Sequence, residues 1–419
     1  MIRSRRAFLK TASIVPAVCA AGSPARAASA GISEQNRGAS QPPRGTPGRV
    51  AVRDSSFDPW IEVDAAALRH NVAQIGRRTG GRPILAVIKN NGYGLGVVNV
   101  ARTLEPLDAI AGFAVVKLHE AVLLRDAGIK KPVLLMGPFD TRELPDIVGQ
   151  QIMPMVYTPI GDAIDAAAAR AGHAVALHVC IDTGIGRVGV PFRSAAALVR
   201  DLAQRKSVAI AGTMMTFTED EAFDKEQLRR FTAIAAELRN SGVNIGRLHA
   251  ASSFALFQHP DSFLDMVRPG MALMGVYSEQ AFRSTGTMDL RPAASLKARI
   301  AYVKKLEAGD SAGYERAYRA ERPVWLATLP AGHVDGLPRN ASKGGRVKIG
   351  GRLYPIVASL SASHSIVEIG DEQRVQIGDV VTFFDGQDGS RPEDFCASCN
   401  ASVYDLLMHL HADLPRRVI

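Results

Sequence analysis

Between Pro83 and about Gly270 the chain alternates short apolar runs with longer stretches of helical period. The runs are PILAVIK, AGFAVV, KPVLLMG, IMPMVY, AVALHVCID, VAIAGTMMT, IGRLHAAS and LDMVRPG. Between most of them, GVVNVARTLEP, LHEAVLLRDAG, IGDAIDAAAARAG, SAAALVRDLAQR and KEQLRRFTAIAAELRNSG place apolar residues at i, i+3 and i+4. That spacing gives a helix one buried face. Several of these stretches end in glycine, as helix C-caps do. Strand alternating with helix predicts a parallel sheet, because parallel neighbours need a crossover between them. Eight such strands in roughly 200 residues predict a (β/α)8 TIM-type barrel. A doubly wound sheet is the alternative if the count of eight is wrong.

After about residue 290 the pattern changes. SLKARIAYVKKLEAGD, VWLATLPAGH, GRVKIGGRLYPIVASLSASHSIVEIGD and QIGDVVTFFDGQDG read as strands separated by turn signals. One helix is expected near Ala401–His409. The organisation is therefore a barrel over 57–289 and a mainly β domain over 290–419. The strand at 59–64 is able to join either.

The first residues, MIRSRRAFLKTASIVPAVCAAGSPARAASA, follow neither pattern. A basic start leads into a short apolar stretch and an A-x-A cleavage site at Ala25–Ala27. SRRAFLK resembles the twin-arginine export signal, with Arg5-Arg6, Phe8, Leu9 and Lys10. We expect a signal at 1–27, a disordered linker at 28–56 rich in Gly, Pro, Ser, Arg and Gln, and a periplasmic protein. The apolar stretch is too short to anchor the chain in a bilayer. Net charge is +9, of which Arg3, Arg5, Arg6, Lys10 and Arg26 supply five. The remainder is dispersed, with no basic cluster interleaved with aromatics, so a nucleic-acid partner is not expected. Beyond the signal stand Cys180, Cys396 and Cys399. CASC reads as a small disulfide or two inert thiols before it reads as a redox pair or half of a metal site with His409 and His411.

In a barrel, the ligand site lies at the C-terminal ends of the strands. PILAVIK ends there in Lys89, the most hydrophilic residue of an apolar run. By itself Lys89 would be a side chain reaching out to water. The other strand ends place Asp182, Thr216, His249, Ser253, Arg268 and Gly270 around it. Loops after strands seven and eight of a barrel often bind phosphate. Ser253 offers a hydroxyl there, and the Gly270 region can bring backbone N–H groups close. Taken singly, Ser253 fits a helix cap and Arg268 an ion pair with Asp265. A lysine beside a phosphate cradle points to pyridoxal 5'-phosphate, whose aldehyde reacts with an amine of depressed pKa. GIGRVG (Gly184–Gly189) formally matches a dinucleotide fingerprint. It follows the fifth strand and has no acidic ribose partner after it, so a nicotinamide site is not expected.

AVIKNNGYGLG, IDTGIGRVGV, HAASSFA, VRPGMALMG, AGYERAY, PAGHVDGLPR and VYDLLMHLHADLPR together resemble the alanine racemase family, in family order, from Trp60 to Arg417. The resemblance implies a homodimer with shared active sites that interconverts L- and D-amino acids with pyridoxal phosphate. Lys89 would bind the cofactor covalently and act as one base. Tyr314 would be the opposite base, supplied across the dimer. Tyr93, Ser253 and Tyr404 would hold the phosphate, with His249 and Gly270 beside them. Arg268 would face the pyridine nitrogen, and Arg187 would approach the cofactor's phenolic oxygen and the substrate. Cys180 stands where the family usually has a lysine. Ala362, on the substrate side, and Ser363 replace a Met-Asp pair. Thr216, Ser252 and His333 replace a His, an Asn and a Tyr. These departures imply a substrate range that is alanine or broader. A barrel-type amino-acid decarboxylase and a catalytically degenerate cofactor-binding protein are the alternatives.

Overall fold

The computed structural model describes residues 56–419. The expected signal at 1–27 and the expected linker at 28–56, apart from Ser56, lie outside the described residues. No helix among the described residues is long and apolar enough to cross a membrane.

The first strand, β1 (Trp60–Val63), belongs to the second sheet. It pairs antiparallel with Ala294–Arg299 and parallel with Arg416–Val418. The barrel strands then follow in chain order: β2 (Ile84–Val87), β3 (Ile110–Val115), β4 (Val133–Leu135), β5 (Ile152–Val156) and β6 (Val175–Asp182). A two-residue strand, β7 (Val190–Pro191), returns against β6, and β8 (Val208–Met214) and β9 (Arg247–His249) complete the run. Neighbouring strands are parallel throughout. LDMVRPG contributes only a single bridge, Val267 to Ile84. Leu85 N–H donates to the Val267 carbonyl (2.9 Å) and Val87 N–H to that of Pro269 (2.9 Å), which brings the eighth segment back to β2. Ile84–Val87 is buried along its whole length. Strands covered on both faces lose the in-out alternation, and hence read as continuous apolar runs.

The five periodic stretches form helices at Val97–Leu104, Leu118–Asp126, Gly161–Ala171, Ala195–Gln204 and Glu221–Asn240. Gly161–Ala171 ends on Gly172 with φ +75°, a left-handed cap. Ala65–Arg78, Leu144–Gly149 and Pro392–Ser398 are helices additional to those the pattern predicts.

The second domain is a nine-stranded sheet, antiparallel except where β1 meets the C-terminal strand. Its strands do alternate: Ala294, Leu296 and Ala298 are buried and their neighbours are partly exposed. The helix Val403–Met408 turns back from this domain onto the barrel mouth. Asn90 Nδ2 meets Met408 Sδ at 3.5 Å, and Arg416 Nε donates to the Gly94 carbonyl at 2.7 Å. The β domain thus delivers Tyr404 to the end of the barrel where the strands finish.

Candidate active site

Lys89 directly follows the apolar β2 and Ile88. The chain then runs through an unusual left-handed turn: φ is 54° at Asn90, 56° at Asn91, 63° at Gly92, 52° at Tyr93 and 86° at Gly94. Asn and Gly tolerate this region better than other residues, which accounts for the N-N-G sequence. Tyr93 has no such excuse and is held there by burial, at 5% exposure. Glu120 pins the turn by accepting from Asn91 N–H at 2.7 Å.

Lys89 is half-buried and makes no hydrogen bond or ion pair with the described residues. Burial, then the Arg187 guanidinium, lowers its pKa below the ordinary 10.5, against an opposing pull from Glu120. The amine faces a cavity of about 600 Å³ whose wall includes Tyr93, Cys180, Arg187, Ser253, Arg268, Gly270 and Tyr404. The volume is that of an ordinary small-molecule site. Burial and the neighbouring Tyr404 hold the Tyr93 phenol well above its usual 10. The Tyr404 phenol is pushed up to about 12 by burial, then by Glu219 and Glu279. Both remain neutral hydrogen-bond donors at physiological pH.

Gly270 is required by its neighbour. A Cβ there would collide with Tyr93 Oη and stand 2.7 Å from Cζ and 3.0 Å from Cε2. The backbone N–H of Gly270 is not turned to the cavity for an anion. It donates to Ser253 Oγ at 2.9 Å, as Ala272 N–H does at 3.1 Å. Two donors on one hydroxyl oxygen leave the Ser253 O–H proton as the group to offer.

Arg268 is 6% exposed and does not pair with Asp265, which instead binds Arg239 at 2.9 Å. Its guanidinium donates to the carbonyls of His249 (2.6 Å) and Met215 (2.8 Å) and reaches His249 Nδ1 at 3.1 Å. His249 Nε2 meets His178 Nδ1 at 2.8 Å. Since Arg268 can only donate, His249 Nδ1 must accept, its Nε2 carries the proton, and His178 Nδ1 accepts in turn. Burial, then Arg268, depresses both imidazoles, His178 to about 4 and His249 well below the usual 6.5. Both are neutral. Arg268 is a buried cation without a carboxylate partner; burial lowers it to about 10.

Sequence reasoning placed His249 on the ligand. The structure instead buries it fully behind Arg268 and off the cavity wall. His178 was not singled out, although strand alternation puts residues 178 and 180 on one face with Cys180. Cys180 is a buried thiol raised to about 11, mainly by burial. Cys396 and Cys399 are free and buried as well, and no metal-binding group of three His, Cys, Asp or Glu exists among the described residues. GIGRVG forms the return from β6 to β7 rather than a helix start. Asp182 accepts from Gly184 and Gly186 N–H at 2.9 and 3.2 Å. Tyr314 and Ala362 are not brought to the cavity by this chain. Tyr314 stands 73% exposed on the short turn Tyr314–Arg316, next to Gly313, which packs on Ala358.

These residues fit pyridoxal phosphate. An unpaired lysine of lowered pKa, three hydroxyls and an arginine lacking an anion face one cavity, and Gly270 leaves the phosphate side open.

Comparison with known proteins points the same way. The profile "Alanine racemase, N-terminal domain" matches residues 63–278, and "Alanine racemase, C-terminal domain" matches 293–418. The chain is 34% identical over 371 residues to an alanine racemase of Desulfovibrio desulfuricans, covering 86% of this chain and 98% of that one. It is 32% identical over 365 residues to that of Desulforamulus reducens, covering 85% and 98%. The alanine racemase structure from Streptomyces lavendulae superposes with a TM-score of 0.81 at 28% identity, over 87% of this chain and 97% of that one. The Clostridium difficile enzyme does so at 0.80 and 26%, over 86% and 95%.

Proposed function

Because the chain belongs to the alanine racemase family, we propose that it interconverts L- and D-amino acids by a two-base reaction in which Lys89 and Tyr314 of the partner subunit are the bases. It is a pyridoxal 5'-phosphate-dependent amino-acid racemase. Bound in the cavity, the cofactor supplies an aldehyde that joins to an amine and a ring that acidifies the substrate's α-hydrogen. Lys89 Nζ removes or returns the proton on one face. The observation that carries this role is its lowered pKa beside Arg187 in a cavity with no competing partner.

The phenol of Tyr314, 73% exposed and without a hydrogen-bond partner among the described residues, serves the other face after dimerisation. Tyr93, Ser253 and Tyr404 hold the phosphate through their hydroxyls. Arg268 would face the pyridine nitrogen of the bound cofactor and keep it unprotonated, since two cations would repel. Its fixed tautomeric chain through His249 and His178 makes those imidazoles positioning groups. Arg187 would approach the cofactor's phenolic oxygen and the substrate carboxylate. The enzyme is exported by the twin-arginine route to the periplasm with its cofactor bound, a reading supported by SRRAFLK.

The test incubates the cofactor-loaded protein with each L-amino acid and resolves the products by chirality. Inverted product is expected, and borohydride should then fix the cofactor to a single peptide containing Lys89. Released amine would mean decarboxylation, and unchanged amino acid a binding protein.

A further inference from the structure

The loop after β8 puts a carboxylate on the cavity wall that the chemistry above does not use. Glu219 lines the same cavity as Lys89 and Tyr404. Its backbone sits at φ +67°, a conformation side chains other than Gly and Asn rarely adopt. The surroundings fix it there. Thr218 N–H, Thr218 Oγ1 and Glu219 N–H all donate to Asp224 Oδ1, at 3.1, 2.9 and 3.1 Å. Thr218 N–H also reaches Gln227 Oε1 at 2.9 Å. The Asp224 side chain is completely buried, and its other oxygen is bound by His259 Nε2 at 2.8 Å. A buried Asp–His pair thus holds a non-glycine residue in an unfavourable backbone state at the cavity mouth, which is where such strain tends to serve function.

Glu219 has no cationic partner among the described residues. Burial, and then the charges of Asp224 and Glu279, hold its carboxyl above the usual range. Its field is felt by Tyr404, on the phosphate side of the cavity. Every deep cation of the cavity already has a role: Lys89 and Arg187 at the reacting centre, Arg268 on His249. An anion whose charged neighbours are also anions gains most from a cation brought by the ligand.

We propose that Glu219 is a specificity-determining residue that receives the cationic end of the substrate side chain, so that this enzyme favours basic amino acids over neutral ones of the same length. The inference rests on the racemase reading. It also complements the loss of a carboxylate at Ser363: the selecting anion stands on the barrel's own loop, not on the rim contributed across the dimer.

The test compares L-lysine with L-norleucine, which matches its length without the charge, using full-length holoenzyme. Wild type should show a kcat/KM for lysine about tenfold above that for norleucine, equal to about 1.4 kcal/mol. Glu219→Gln should bring that ratio close to one, Glu219→Asp should keep part of it, and Glu219→Lys should invert it. A merely structural role would move both substrates together and leave the ratio in place. A wild-type ratio near one, or a ratio unmoved by Glu219→Gln, overturns the proposal. If no amino acid is inverted, alanine and norleucine included, the racemase reading falls, and this inference with it.

Discussion

Replacing Gly270 by alanine tests the phosphate side of the cavity through a contact the structure defines. The new Cβ would collide with Tyr93 Oη and stand 2.7 Å from Cζ. Tyr93 cannot yield freely, because its ring is buried and its backbone already sits at φ 52°. Overpacking of this kind costs about 1–3 kcal/mol. If the ring swings away instead, the site loses the hydroxyl proposed to hold the phosphate, and a hydrogen bond to a charged group is worth about 1.5–3 kcal/mol, or roughly tenfold to a hundredfold in cofactor affinity. The assay is a double-mutant cycle with Tyr93→Ala, read by denaturant unfolding and by absorbance titration of the cofactor. In the Tyr93→Ala background the Gly270→Ala change should cost less than about 0.5 kcal/mol, because the colliding atoms are gone. An equal penalty in both backgrounds would refute the reasoning, and so would a single variant that loses neither stability nor cofactor affinity.

The neutral His178 should make the protein acid-sensitive. Its folded pKa of about 4 lies below the ordinary 6.5, so the unfolded chain binds the proton more tightly and stability falls as pH drops from 6.5 to 4. The shift corresponds to about 3 kcal/mol, and His178→Gln should flatten that part of a stability-versus-pH curve; an unchanged slope would contradict the assignment. Replacing Arg5 and Arg6 by lysine should keep the protein in the cytoplasm, whereas continued release of processed protein would indicate the general secretory route. Restoring Met at 362 and Asp at 363 should narrow the substrate range towards alanine, since one methylene of pocket discriminates by about 1–3 kcal/mol. A wild type that turns over alanine alone would remove the basis for that expectation.

Much of the fold was legible because its signals are local. Parallel strands covered on both faces give unbroken apolar runs such as PILAV, and the five crossover helices carry a plain 3.6-residue period. The eighth strand is short enough to survive as one bridge at Val267, and its run still marked its place. β1 was harder to assign because its partners, Ala294–Arg299 and Arg416–Val418, lie more than two hundred residues away. Pairing at that distance leaves no periodic trace.

The chemistry divides in the same way. Lys89, Ser253 and Arg268 stand at strand ends, so the barrel rule found them. His249 ends a strand too, but the side chain turns into the wall behind Arg268 rather than towards the cavity. Glu219 is fixed by its own hydrogen bond to Asp224 and by those of Thr218 to Asp224 and Gln227, and Asp224 is bound in turn by His259, thirty-five residues further on. No spacing in the sequence announces such a triangle. The left-handed turn after Lys89 did leave a signal, the Asn-Asn-Gly sequence, which marks a backbone requirement as well as a loop.

The most direct measurement follows holoenzyme acting on L-alanine in D2O, with chirality and α-deuterium read together in the first turnovers. Two bases on opposite faces predict that D-alanine appears with deuterium at Cα from the outset, approaching an equimolar mixture, and that Lys89→Ala and Tyr314→Phe each abolish it. D-alanine that retains the substrate's own hydrogen would mean that a single base carries the proton across. Absence of inversion by cofactor-loaded protein would contradict the account altogether.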